Sequence, residues 1–459
     1  MPMRRATREK ARAASSSLGS LSPSLALVAL CLAAFASSSW AEAAESYWWE
    51  GIPGFGVPNF SGRPRAAERT PPKPDIVDDL RPDEVPWRSD EMLLQIEKAI
   101  SLHQRIVSKG GWPAIPGNRM MRPGDDDERV PLLRRRLRIS GDLGGGSGFE
   151  DYAFDTALEA AVVRFQERNG LRASGRVDQP TLAALNITAE ERLEQLKLNH
   201  NRIAELVQTA PEERYVLVNV PAFQLEAVER YQVERRHRVI VGRPERETPT
   251  LKASIKALNF FPYWKVPDSV AQLDVIPRLQ KEPDYLFKEQ IRVLSGDFNG
   301  PELDALSINW FQADATKIKF RQEPGPHNAL GLVRLDMQNE HGVYMHDTPL
   351  KQLFQQRSRS FSAGCVRVED VFKLVEWVAR FEPGWERPGQ VEAVLEAGQA
   401  LDLNLTRPVP VYFTYITAWA EANGRIEFRP DIYKRDGAPA VAEVLDPDAP
   451  PPPQQGLAP

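Results

Sequence analysis

The sequence predicts a multidomain α+β protein, in which a small three-helix domain precedes a mainly β domain interrupted by a helical insertion. Three observations carry this expectation. The chain has 459 residues, 42% hydrophobic and 26% charged, which suits globular structure but exceeds what a single hydrophobic core supports. Up to Val207 the apolar residues recur mostly at helical spacing, whereas from Arg214 they fall in short runs rich in Val, Ile and aromatics, separated by Pro, Gly and Asn. Between Phe261 and Gly331 the strand-like runs stop, and so long an excursion from a β core is uncommon unless it is functional.

Residues 1–43 have the order of an export signal. The basic residues Arg4, Arg5, Arg8, Lys10 and Arg12 precede an apolar run from Leu25 to Phe35 and the small-residue site Ala41-Glu42-Ala43. The run is short for a membrane span, and Leu30 before Cys31 is too large for a lipid-modification site. Cleavage is expected to leave a chain beginning near Ala44. It removes five basic and two acidic residues, a net +3, so the formal charge moves from −5 to −8. So acidic a chain is a poor partner for nucleic acid. No later apolar stretch approaches transmembrane length, so no anchor is expected after cleavage. Cys31 leaves with the signal, and Cys365 is then the one cysteine of the expected mature chain, either a buried small hydrophobe or a reactive thiol.

The remaining elements follow in order. Residues 44–129 read as an extended lead-in over other domains, rich in Pro, Gly and Trp, followed by a scaffold helix from Glu91 to Lys109 that ends at Gly110-Gly111. Within 130–188, Leu132, Leu133 and Leu137 mark one helix and Ala157, Ala161, Val162 and Phe165 a second, closed by Asn169-Gly170. Thr181 to Leu185 make a third, capped by Thr181 or Asp178. A connecting helix occupies 189–213. The β domain spans 214–428, with strands over 215–220, 224–228, 238–241, 255–260, 332–337, 343–346 and 411–417. Its insertion, 261–331, carries Tyr263-Trp264 and helical stretches from Ser269 to Gln280 and around Tyr285 to Gln290, as a lid would. The tail 429–459, with its Pro run, is expected to be disordered.

Chemistry concentrates around Ser362-Ala363-Gly364-Cys365-Val366-Arg367 and, with His346 nineteen residues before Cys365, Tyr344-Met345-His346-Asp347-Thr348-Pro349. A thiol becomes a useful nucleophile when its pKa falls or an imidazole takes its proton. Gly364 admits close approach, the N–H groups of Gly364 and Cys365 are candidates for an oxyanion hole, and Arg367 adds positive charge. Val368 to Phe381 have helical period, and the start of that helix would favour negative charge near the thiol. Taken alone, His346 reads equally as a base or as a satisfied core histidine. Its other nitrogen needs a partner, either the Asp347 side chain or a backbone carbonyl near Asp347 or Thr348; successive strand residues face opposite ways, which favours the carbonyl at least as much. Arg367 has two readings, a carboxylate of the substrate or an ion pair with Glu369. The other five histidines, His103, His200, His237, His327 and His341, show no metal-ligand spacing, so no metal or other cofactor is expected.

The pair HDTP and SAGCVRV resembles the signature of the YkuD-type L,D-transpeptidase catalytic domain. FFPYWKVPDSVAQLDVIPRLQKEPDYL and GPHNALGLVRLDM are similar to its large periplasmic, YcbB-like branch, and FQERNGL with SGRVDQPTLAALN resembles the three-helix peptidoglycan-binding domain. One departure is plain, since most of that family has a second histidine directly before the Gly-Cys, where this chain has Ala363. The resemblance implies a periplasmic enzyme in which Cys365, with His346 as base, forms a thioester with a peptidoglycan stem peptide. Ser362, Tyr344, Asp347, Gly364 and Arg367 would surround the substrate or its oxyanion. It also implies that peptidoglycan is the partner and that carbapenem-type β-lactams acylate the same sulfur. Transfer to water, transfer to a lipoprotein amine and a non-catalytic wall-binding scaffold remain alternatives at this stage. The Cys365 and His346 pair, which a pure binder has no use for, argues against the scaffold.

Overall fold

The computed structural model describes residues 79–81, 83–145, 151–208 and 212–437. The expected signal peptide over 1–43, most of the lead-in and the end of the tail lie outside the described residues.

The lead-in is deeply embedded where it is described, rather than lying over a surface. Trp87 is fully buried against Trp419, ring centroids 5.6 Å apart in a T-shaped pair, and the Arg81 guanidinium lies over the Trp87 ring while pairing with Glu421 at 2.8 Å. Helix α1 (Asp90–Ser108) follows. Ser89 Oγ accepts the Met92 N–H at 3.1 Å, and Asp90 and Glu91 occupy the first turn; such a cap is worth ~1 kcal/mol. Its buried residues Met92, Ile96, Ala99, His103 and Ile106 recur every three or four positions.

The three-helix unit consists of α2 (Val130–Ile139), α3 (Thr156–Arg168) and α4 (Gln179–Leu185). Leu133, Leu137, Leu158, Val162, Phe165 and Leu185 fill its separate core. Asp155 caps α3 and Asp178, not Thr181, caps α4. Thr181 instead accepts a hydrogen bond from the buried Gln166 amide at 2.9 Å. Helix α5 (Ala189–Gln208) returns alongside α1.

A nine-stranded sheet dominates the remainder. Strands β1 (Arg214–Asn219), β2 (Gln224–Glu229), β3 (Gln232–Gly242) and β4 (Leu251–Phe260) begin it. The insertion comes next, and its strands were not expected from the sequence: β5 (Trp264–Lys265), β6 (Ile291–Ser295) and β7 (Ile318–Gln322) form a small antiparallel sheet in the order β5-β7-β6. They are two to five residues long and their alternation carries charges such as Arg292, Lys319 and Arg321, so their period is brief. The expected helices are present, as α6 (Asp268–Val270), a π turn (Ala271–Val275) and α7 (Ile276–Leu279) in series, then α8 (Tyr285–Lys288).

The main sheet resumes with β8 (Val333–Asp336), β9 (Met345–His346), β10 (Ser360–Ser362) and β11 (Val366–Val368). Helix α9 spans Val371–Ala379, α10 Gln390–Ala397, β12 Leu401–Thr414, and the hairpin β13 (Ala418–Ala420) and β14 (Ile426–Phe428) completes the elements. Val368, expected to open a helix, instead ends strand β11, which pairs with β3 and β9, so α9 starts only at Val371. Strand order is β10-β3-β11-β9-β8-β4-β12-β1-β2, and β2 also pairs with β3, closing the sheet on itself.

The two faces of β1 show why its run is apolar throughout. Val216 and Val218 enter the core shared by the sheet and α9, while Tyr215 and Leu217 face the second core with Ile96, Leu196 and Trp419. Residues 429–437, expected to belong to a disordered tail, are packed: Tyr433 stacks on Tyr415 at 5.6 Å and its hydroxyl donates to the Gly242 carbonyl at 2.5 Å. The acidic, Pro-rich composition behind that expectation starts only at Asp446.

Candidate active site

Parallel pairing of β9 with β11 aligns Met345 with Val366 and His346 with Arg367. The Val366 N–H donates to the Tyr344 carbonyl at 3.0 Å, which brings Cys365 beside Tyr344. Since paired residues share a face, Tyr344, His346, Cys365 and Arg367 lie together on the side opposite Met345, Val366 and Val368, which belong to the main core. Arg334 of β8, opposite His346 in the antiparallel register, joins the same face.

His346 is fully buried. Its Nδ1–H donates to the Asp347 backbone carbonyl at 2.5 Å, so in the neutral ring Nε2 carries the lone pair. That atom is buried and has no hydrogen-bond partner among the described residues. Burial, then the nearby Arg367, pushes the imidazole from 6.5 down to about 3. Burial raises the Cys365 thiol from 9 to about 11, against opposing contacts from the Tyr344 backbone N–H and hydroxyl and from Arg367. The resting pair is a neutral thiol and a neutral imidazole.

The Asp347 carboxylate turns away from the ring. It accepts the Leu332 N–H at 3.0 Å, pairs with Lys351, and fills the place where a Cβ on Gly331 would stand, 2.3 Å from Oδ2. Of the orienting partners left open by the sequence, the structure has the carbonyl.

Ser362 and Gly364 shape the turn before the cysteine. The buried Ser362 hydroxyl donates to the Cys365 carbonyl at 2.5 Å and accepts the Gly364 N–H at 3.1 Å. Gly364 has φ +122°, open to glycine and strained for other residues, and its carbonyl accepts the Thr248 hydroxyl at 2.8 Å. The Gly364 N–H is therefore occupied, contrary to its expected place in an oxyanion hole. Arg367 is buried, yet it forms no ion pair with any described acidic residue, and its Nε has no partner. Glu369 pairs instead with Arg238 at 3.0 Å. Burial lowers the Arg367 guanidinium to about 10, a value at which it remains charged at neutral pH.

The insertion covers this face. Its own core, built on Trp264, Val266, Val270, Val275, Leu279 and Phe320, packs against Tyr344 and against Ala363, the residue before Gly364. Trp264 stands beside the Tyr344 hydroxyl. Sequence reasoning placed Trp264 in the insertion without a role at the site, and missed Arg334 and Thr248. The alternation of Val333, Arg334 and Leu335 carried a signal for Arg334, whereas Thr248 lies in an irregular loop and had none. No group of three or more His, Cys, Asp or Glu residues that could hold a metal occurs among the described residues.

The family model described as "L,D-transpeptidase catalytic domain", YkuD, matches residues 213–409, and "Putative peptidoglycan binding domain" matches 126–185. A curated relative from Haemophilus influenzae, named "Putative L,D-transpeptidase", is 31% identical over 230 residues, covering 50% of this chain and 46% of its own length. The chain thus spans about half of that relative. Among solved structures, an L,D-transpeptidase from Stackebrandtia nassauensis is 15% identical, covering 65% of this chain and 96% of its own, at a TM-score of 0.24. The L,D-transpeptidase from Xylanimonas cellulosilytica is 15% identical, covering 65% and 98%, at 0.20. Superposition scores this low add nothing to the sequence matches. Residues 126–185 thus match the peptidoglycan-binding domain family, and residues 213–409 match the YkuD family of L,D-transpeptidase catalytic domains.

Proposed function

We propose that this chain is an exported enzyme of the periplasm that cross-links peptidoglycan stem peptides through a thioester on Cys365. The observation that carries this reading is the unpartnered Nε2 lone pair of His346 on the strand beside Cys365. As the sulfur attacks the carbonyl of the donor's third-position diamino acid, its proton passes to His346 Nε2. In this reading the Cys365 N–H and the buried Arg367 cation, close enough to the sulfur to interact with it electrostatically, supply positive charge to the developing oxyanion. Collapse breaks the peptide bond. The terminal D-alanine leaves with the proton from His346, and the acyl group stays on sulfur. The side-chain amine of a second stem then adds to the thioester, His346 accepts its proton, and the proton returns to the departing thiolate. The cover over Tyr344 and Ala363 supports amine rather than water as the acceptor, because it keeps solvent from the thioester.

The test is digestion of cell-wall material exposed to the purified protein, with mass analysis of the muropeptides. Links between third-position residues are expected. They should vanish with Cys365→Ala and fall ~10²–10⁴-fold with His346→Ala, the usual loss for a positioned base. A carbapenem should add its mass to the peptide carrying Ser362 to Arg367. Full activity of Cys365→Ala would overturn the assignment.

A further inference from the structure

The loop from Arg243 to Thr248 walls the catalytic turn. Arg243 N–H donates to the Ser362 carbonyl at 3.0 Å, and Thr248 holds the Gly364 carbonyl. The carbonyl oxygens of Glu247 and Arg246 lie 3.5 and 3.9 Å from where a Cβ on Gly364 would be. From this wall two guanidinium groups reach the cover and meet one carboxylate, Asp274 of the π turn. Arg243 Nη2 is 3.3 Å from Oδ1, and Arg246 Nη1 is 2.5 Å from Oδ2. Among the described residues these are the only ion pairs of either arginine. The side chains are 30%, 17% and 25% exposed for Arg243, Arg246 and Asp274, so solvent reaches all three.

We propose that Arg243 and Arg246 form the subsite for the free C-terminal carboxylate of the donor stem peptide, and that Asp274 occupies this subsite while no donor is bound. The proposal deepens the acyl-transfer reading and rests on it. Two guanidinium groups converging on one carboxylate are the arrangement that recognises a peptide's carboxylate end. Ion pairs this exposed contribute little net stability, so an incoming carboxylate exchanges with Asp274 readily. The exchange also frees the cover where it is bridged to the loop that walls the catalytic turn. When the leaving residue departs with its carboxylate, Asp274 returns to its arginines and the cover closes over the thioester. The subsite thereby ties donor recognition to closure.

The experiment uses the full chain and two synthetic stem tetrapeptides, identical except that one ends in a carboxylate and the other in a carboxamide. Release of the terminal residue gives kcat and KM, and intact mass reports the thioester. The wild type is expected to prefer the carboxylate peptide ~10–100-fold in kcat/KM, the range for losing one or two charge-assisted hydrogen bonds. Arg243→Gln with Arg246→Gln should erase the preference, chiefly through KM. Asp274→Asn should sharpen it by lowering KM for the carboxylate peptide relative to the carboxamide. A wild type that treats both peptides alike, a double variant that keeps the preference, or Asp274→Asn that leaves the ratio unchanged would overturn the subsite and leave the acyl-transfer reading standing. Failure of both peptides to acylate Cys365 would overturn that reading itself.

Discussion

At the scale of the residue, the proposed chemistry starts from a neutral pair rather than a preformed ion pair. A thiol at about 11 and an imidazole at about 3 change charge well outside the neutral range, both because burial disfavours their charged forms. The His346 base is lost only as pH falls toward its lowered pKa, and the thiol ionises only as pH rises toward its raised one. Acylation of Cys365 is therefore expected to be nearly flat between about pH 5 and 9, where an unperturbed pair would trace a bell. Stopped-flow acylation by a carbapenem across that range checks this, and an acid limb near the ordinary histidine value would contradict it. Cys365 and His346 were legible because their spacing and neighbours survive in one dimension. The roles of Ser362 and Asp347 were not, because they are set by which way a side chain turns: one clamps the cysteine turn and the other reaches back to Gly331 and Leu332.

At the scale of the element, the insertion is a unit with its own core set on two neighbouring stems. Phe261 N–H donates to the Leu332 carbonyl at 2.9 Å, next to the Phe260–Val333 pair of β4 and β8. The buried Asn328 amide donates to the carbonyls of Pro262 and Glu323 at 3.1 and 3.0 Å. Phe261 at φ +48° and Gly331 at φ +62° make the turns that lead out and back. Because the stems already touch, replacing residues 263–330 by two glycines should preserve the β4–β8 pairing and the main core. It removes the groups packed on Tyr344 and Ala363, so thioester hydrolysis is expected to rise at the expense of cross-linking. Cooperative unfolding together with an unchanged ratio of cross-linked to hydrolysed product would show that the cover has no part in acceptor choice. The sequence marked this segment as an interruption of the β pattern and located its helices. It hid the three short strands, since a run such as Ile318 to Gln322 gains its strand identity from partners on β5 and β6 rather than from its own length.

At the scale of the whole molecule, the same construction recurs in the three-helix unit. Its ends meet, with the Trp112 indole donating to the Ile187 carbonyl at 2.9 Å and Asn186 exchanging two hydrogen bonds with the Ile115 backbone, 2.8 and 2.9 Å. Its core is separate from the one that holds α1 and α5 against β1. The bridge between unit and body is polar and local. Arg192 donates to Asn169 at 2.8 Å, Arg429 to the Arg168 carbonyl at 3.2 Å, and Arg168, held by Asp142, reaches the Ile426 carbonyl at 3.5 Å. Nothing in that bridge touches β9, β11 or the cover. Excising residues 113–186 and joining the ends with a short Gly-Ser link should therefore leave α1 and α5 packed together while uncovering the residues that faced the unit, among them Trp112, Arg192, Ile426 and Arg429. The excised protein is expected to be acylated by a soluble stem peptide within a few-fold of the full chain, because the residues proposed to face the substrate all lie beyond residue 240. It should be lost from sedimented cell-wall sacculi that still retain full-length Cys365→Ala. A collapse in soluble-peptide turnover by a folded excision variant would mean that the unit braces the active site, and undiminished sedimentation would place the wall-binding surface on the catalytic body instead.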